Sequence, residues 1–154
     1  MTPTFKQAIV IRIREELRAR LVKMEAAAKD AHAAASDPDS KAESKYDTRS
    51  LEASYLAAGQ AQQVAELAVA MRRFEQFEPE EFGLEGHIDA GALVEITGEE
   101  QANWFLLAPA AGGLSLVFED MDITVLTPAS RLYQSLLGKS LGDEVEEGFV
   151  TELM

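Results

Sequence analysis

The chain has no cysteine among its 154 residues, which excludes disulfides and thiolate metal sites and points to a reducing compartment. Histidine is scarce too: His32 and His87 are too few and too far apart in sequence for a metal centre, so both are expected to be solvated or hydrogen-bonded. Basic residues number 14 against 27 acidic ones, a formal net charge of −13. Phosphate neutralisation needs clustered Lys and Arg, so no direct DNA binding is expected, and any nucleic-acid role should run through a protein partner. No run approaches about 18 apolar residues, and residues 1–16 place charges inside their apolar stretch without a small-residue cleavage site. A cytoplasmic protein with no membrane role is the expectation. There is no G-x-S-x-G, and the serines lie far in sequence from either histidine. The chain is therefore expected not to be an enzyme in its own right.

Glycine and proline are also missing from Phe5 to Ala35, where Ala, Glu, Arg, Lys and Leu dominate. That composition predicts a helix of about eight turns. At about 100° per residue, Val10, Ile13, Leu17, Leu21, Met24, Ala28, Ala31 and Ala35 form a narrow seam suited to one long partner helix. Ser36-Asp37-Pro38-Asp39-Ser40 breaks the pattern. A second helix is predicted from about Glu43 or Asp47 to Phe77, with Ala53, Ala57, Gln60, Val64, Leu67, Met71 and Phe74 as its seam. The first seam shrinks toward the break and the second grows away from it, so small meets small only if the helices are antiparallel. Arms of about 30 residues would reach roughly 45 Å.

Composition changes near residue 77. Residues 78–85 carry Pro, Gly and charge and read as a linker. Leu93–Ile96, Trp104–Leu107, Leu114–Phe118 and Ile123–Leu126 are short β-rich runs parted by Gly98, Pro109, Gly112-Gly113 and Glu119-Asp120, which predicts an antiparallel sheet. Val145 and Phe149–Leu153 add a last strand. Thr127 as N-cap, Pro128 at the first helical position and Gly138 as stop predict a short helix over Ala129–Leu137. The expected class is α+β: an antiparallel coiled-coil hairpin over 1–77 with an acidic tip at about 36–47, the linker, and a globular domain over 86–154.

Chemistry could reside in the acidic turn, where Asp37, Asp39, Glu43, Asp47 and Glu52 fall close together. Carboxylates there suit lending oxygens to a Mg²⁺ held mainly by another molecule, and equally suit capping and solvating a turn. The EF-hand spacing is absent. Lys6, Arg12, Arg14, Arg18, Arg20 and Lys23 flank the first seam on two sides rather than forming a stripe. Pairing with neighbouring carboxylates such as Glu15 and Glu16 is their plain reading, and a partner-facing patch the other.

Thr127-Pro128-Ala129-Ser130, followed by Leu136-Leu137-Gly138-Lys139-Ser140-Leu141-Gly142-Asp143-Glu144-Val145, resembles the S/T-P…L-L-G-K-x-x-G-D-x-V signature of Gre-type bacterial transcription elongation factors. Ser54-Tyr55-Leu56-Ala57-Ala58 is similar to the E-Y-x-A-A found past the acidic tip in that family. The resemblance spans nearly the whole chain and suggests a divergent branch. It implies an FKBP-like C-terminal domain without isomerase activity, docked on RNA polymerase by residues such as Thr127, Pro128, Leu137, Gly138, Lys139, Gly142 and Asp143. It also implies a finger entering the polymerase secondary channel, where tip carboxylates share a Mg²⁺ with the polymerase while the polymerase trims its own transcript. No cofactor would be bound stably, and nascent RNA would be met only through the polymerase. In the family the functional Asp and Glu are three apart. Here Asp47 and Glu52 are five apart with Arg49 between, so Asp47 is the residue that carries over, with Glu43 or Glu52 as its partner. A channel-binding regulator that does not stimulate cleavage, and a protein–protein adaptor with an acidic finger, are the competing expectations.

Overall fold

Helix α1 (Phe5–Ser36) starts where Thr4 and Gln7 cap each other: Thr4 Oγ1 accepts from the Gln7 amide at 3.2 Å, and Gln7 Oε1 accepts from the Thr4 amide at 2.9 Å. This reciprocal pair is a capping box, and Pro3 just ahead of it keeps the helix from beginning earlier. The computed structural model describes residues 2–36 and 49–154. The expected acidic turn, with Asp37, Asp39, Glu43 and Asp47, lies outside the described residues.

Along α1 the seam behaves as its spacing predicts: Val10, Ile13, Leu17 and Leu21 are buried, and Met24, Ala28 and Ala31 are half-buried. In α2 (Arg49–Glu75), Ala57, Gln60, Val64, Leu67 and Met71 are half-buried and Phe74 is fully buried. Gln60 puts an amide into this apolar seam, and its buried Oε1 has no hydrogen-bond partner among the described residues. By contact the chain divides into two units, Met1–Arg14 with Met71–Met154, and Glu15–Ala70. The division cuts through both long helices rather than falling at 78–85. The first turns of α1 and the last turn of α2 belong with the sheet.

The sheet contains β1 (Leu93–Thr97), β2 (Ala102–Leu107), β3 (Ser115–Phe118), β4 (Met121–Leu126), β5 (Glu144–Val145) and β6 (Gly148–Leu153), in the order β3-β4-β2-β1-β6-β5. Every predicted β-rich run is found, yet the sheet is mixed, which corrects the antiparallel expectation. β2 and β4 run parallel, with Trp104 opposite Ile123 and Leu107 opposite Leu126. β3 and β4 are joined by a hairpin at Glu119-Asp120, both in the left-handed region with φ of 47° and 65°, as a tight two-residue turn requires. Of this hairpin it is β4 that lies against β2, and β3 takes the edge of the sheet. The loop bearing Pro109 and Gly112-Gly113 makes room, anchored by Ala108 N–H to Leu126 O at 2.8 Å and Gly113 N–H to Val125 O at 2.9 Å.

Helix α3 (Arg131–Leu136) covers one face of the sheet: Tyr133 and Leu136 join Val94, Ile96, Leu107, Leu126, Val150 and Leu153 in one apolar cluster. Strand alternation puts Leu93, Leu106, Ile123 and Val125 on the opposite face, and all four are fully buried. There the start of α1 meets the sheet, Phe5 lying edge-on to Phe118 with ring centroids 5.6 Å apart. The helix start also differs from expectation. Ser130, not Thr127, is the N-cap, its Oγ accepting from the Tyr133 amide at 3.4 Å. Thr127 to Ser130 instead form a turn closed by Ser130 N–H to Thr127 O at 2.8 Å, which delays the helix by two residues. Among the described residues, no helix is long and apolar enough to cross a membrane.

Candidate functional site

The segment Thr127–Val145 is stitched to the rest of its unit by its own backbone. Past Leu136 the chain leaves α3 through Gly138, whose φ of 81° suits a residue without a Cβ. The Gly138 amide donates to Ile88 O at 2.8 Å, and the Ile88 amide donates back to Lys139 O at 2.8 Å. Further on, Asp143 Oδ2 accepts from the Ser140 amide at 2.8 Å while the Asp143 amide donates to Ser140 O at 3.0 Å. The Gly142 amide donates to Val150 O at 2.8 Å and the Val150 amide to Asp143 O at 2.9 Å, fixing the turn onto β6. Ser140 Oγ lies 2.9 Å from His87 Nδ1, so this histidine is hydrogen-bonded, as one of its two expected states requires.

The residues singled out in the sequence thus separate by what they do. Gly138, Gly142 and Asp143 build the turns. Thr127 closes the turn ahead of α3 and, with Ala129 and Ser130, lines a shallow groove of about 400 Å³ alongside Gly112 and Gly113. Pro128 and Leu137 present their side chains to solvent, Leu137 being 43% exposed, and Lys139 is half-buried beside it. Within α3, burial pushes the Tyr133 phenol above its ordinary value of 10.0, and Asp89 adds in the same direction.

Of the carboxylates proposed for Mg²⁺, Asp47 and Glu43 lie outside the described residues. Glu52 is exposed in the first turn of α2, where a negative charge also complements the helix dipole. Tyr55, from the E-Y-x-A-A-like stretch, is 70% exposed one turn further on. Among the described residues, no three His, Asp or Glu side chains group closely enough to hold a metal ion.

The basic residues of α1 hold what sequence reasoning missed. Lys6 is only 1% exposed, and its ammonium donates to the main-chain oxygens of Glu80, Gly91 (2.9 Å) and Met154 (2.9 Å). Its Nζ also lies 4.9 Å from the centroid of the Phe82 ring. Three donors meet three acceptors, the full capacity of an ammonium. Burial pushes the Lys6 pKa down from 10.5 to about 8, with Glu81 pulling the other way, so the group is still charged at neutral pH. Arg14 donates from Nε to Phe74 O at 2.9 Å and from Nη2 to Glu75 O at 3.2 Å and Phe77 O at 2.9 Å. It therefore caps the exit of α2 and joins an early turn of α1 to the end of α2, as antiparallel helices require. Arg20, 3.3 Å from Glu16, makes an i,i+4 carboxylate pair of the kind the plain reading foresees for this set. A buried lysine at a helix start leaves one sequence signal, its place one turn before the seam residues Val10 and Ile13.

No protein-family model matches the chain, and no curated protein matches it. Among solved structures, it is similar to GreA factor homolog 1 (Gfh1) of Thermus thermophilus at 17% identity over 96% of this chain and 93% of that one, with a TM-score of 0.35. It is likewise similar to Gfh1 of Thermus aquaticus at 18% identity over 95% and 92%, with a TM-score of 0.33.

Proposed function

We propose that this protein is a Gre-like RNA polymerase secondary-channel factor that modulates transcription elongation. The observation that carries the reading is the Thr127–Val145 signature. Its glycines and aspartate are consumed in building turns, while Pro128 and Leu137 are left exposed on that scaffold beside the half-buried Lys139, where a docking partner could read them. The order of two long helices followed by a sheet domain supports it. In this proposal the domain docks on the polymerase, and Asp47, with Glu43 or Glu52, adds one or two oxygens to a Mg²⁺ held mainly by the polymerase, which is how that ion is usually bound. The protein's contribution is placement and charge, and the bond-breaking belongs to the polymerase.

The test is addition of the purified chain to backtracked bacterial elongation complexes at limiting Mg²⁺, with transcript length as readout. Shortened RNA that falls at least tenfold with Asp47→Ala supports cleavage stimulation. The five-residue Asp47–Glu52 spacing favours a second reading, a channel occupant that does not stimulate cleavage. It predicts polymerase binding and altered transcription with no 3′ trimming. Failure to bind polymerase at all refutes both and leaves the adaptor.

A further inference from the structure

A different part of the sheet domain, independent of the polymerase reading, has the make-up of a docking surface. The loop after β1 and the hairpin joining β5 to β6 are pressed together. A Cβ added to Gly148 would lie 2.2 Å from Thr97 O, and one added to Gly98 would lie 3.0 Å from Glu147 O. Around this contact are two adjoining shallow grooves of about 480 and 470 Å³ that share Gly98, Glu99 and Glu147. Strand alternation puts them on opposite faces at this end of the sheet: Ile96 and Phe105 line the first, on the α3 face, and Thr97, Phe149 and Thr151 line the second, on the other. Phe149 is 51% exposed although it stands in the middle of a strand-paired surface, opposite Thr97 on one side and Glu144 on the other. Hydroxyl groups beside it are already arranged, with Thr97 and Thr151 Oγ1 atoms 2.8 Å apart and Thr151 donating to Glu95 at 2.7 Å.

The rim around the exposed Phe149 carries charge of one sign, and so does that of the groove on the other face. Glu99, Glu100, Glu144, Glu146 and Glu147 all border the grooves. Residues 86–154 contain only two basic residues, Arg131 and Lys139, against twelve acidic ones, so the carboxylates have few cations of their own domain to answer them. An apolar centre with a charged rim is the anatomy of a protein interface, and a net charge of −13 disfavours a second copy as the occupant. We infer that the paired Gly98–Gln101 and Glu144–Phe149 turns form a docking surface for a cationic segment of a partner protein that places an apolar side chain on Phe149.

The test uses the ¹⁵N-labelled full chain and a synthetic nonapeptide of alternating arginine and leucine, with an equally charged nonapeptide of lysine and serine as control. Amide shifts should concentrate at 97–101 and 144–151. Affinity should fall about fivefold with Phe149→Thr and about tenfold with Glu99→Gln/Glu147→Gln, the size expected for an interfacial aromatic and two rim charges. Because these side chains are exposed or at a rim, the remaining amide pattern should be unchanged, confirming that each variant is folded. Shifts spread equally over Glu119–Asp122, equal affinity for the lysine–serine control, or no loss in either variant would overturn the inference. None of these outcomes depends on polymerase binding.

Discussion

Replacing Lys6 by methionine tests whether the ammonium is a fixed tie at the base of α1. The substitution keeps the aliphatic length and removes the charge, so the oxygens of Glu80 and Gly91 lose the ammonium and Met154 O keeps only the Leu93 amide. Three charge-assisted hydrogen bonds are worth about 1.5–3 kcal/mol each, set against the several kcal/mol that burying an ammonium costs. The net loss at pH 7 should be about 2–4 kcal/mol, visible as a lower urea midpoint at unchanged slope. The pH dependence gives an independent check. Because the folded Lys6 pKa lies near 8 and the unfolded one near 10.5, between these values the unfolded chain holds a proton that the folded chain has released. Stability then rises with pH by about 1.4 kcal/mol per unit, so this one group adds up to about 3 kcal/mol to the wild type across that window. Below about pH 8 both states are protonated and the term is flat. Groups common to both proteins cancel, so the stability difference between wild type and Lys6→Met should widen as pH rises from 8 to 10.5. A variant as stable as the wild type at pH 7, with a difference that stays flat through this window, would refute the tie.

Arg14→Ala should lower stability by about 1–2 kcal/mol by uncovering the last carbonyls of α2. Arg14→Lys should restore only part of it, since one ammonium cannot reproduce the guanidinium fork; thermal unfolding reads both. Gln60→Leu should raise the denaturation midpoint, gaining about 1 kcal/mol by replacing an unpartnered buried oxygen with apolar contact. Gly148→Ala should cost at least about 3 kcal/mol, because its Cβ would overlap a main-chain oxygen, and little folded protein should remain in moderate urea. Ser130→Ala should cost about 0.5–1 kcal/mol through the α3 cap, measured by the same denaturation.

Periodicity carried most of the fold. The helical seam of α1 and the β-rich runs were legible because burial imposes a period on sequence, and that period survives whatever the connection between elements. What periodicity does not record is the neighbour. Leu116 and Ile123 look alike whether β3 or β4 lies against β2, so the parallel β2–β4 pair was invisible, and sequence adjacency favoured a simple meander. The α3 start was missed for a related reason: Thr127 and Ser130 are both competent N-caps, and the Pro128 turn, a tertiary detail, decides between them. Lys6 and Arg14 were expected to pair with carboxylates or to face a partner, because lysine and arginine are seldom buried. Their partners are backbone oxygens, which have no residue identity and leave no mark on a sequence.

That blindness bears directly on the candidate site. A signature recurs for folding or for binding, and sequence alone does not say which of its letters serves which. Here Gly138, Gly142 and Asp143 have a folding role sufficient to account for them, so substituting them would disturb the turns whether or not a partner touches them. Leu137 and Lys139 are the informative positions: a partly exposed leucine beside a lysine, on turns held by four backbone hydrogen bonds to Ile88 and Val150, has no evident use in the core. Leu137→Ser with Lys139→Glu should therefore leave urea stability within about 0.5 kcal/mol, the range of ordinary surface changes. The same pair should weaken polymerase binding at least tenfold if the signature is a docking surface, the size expected when an apolar contact is lost and a charge reversed together. Unchanged binding in a stable double variant would assign the signature to folding alone.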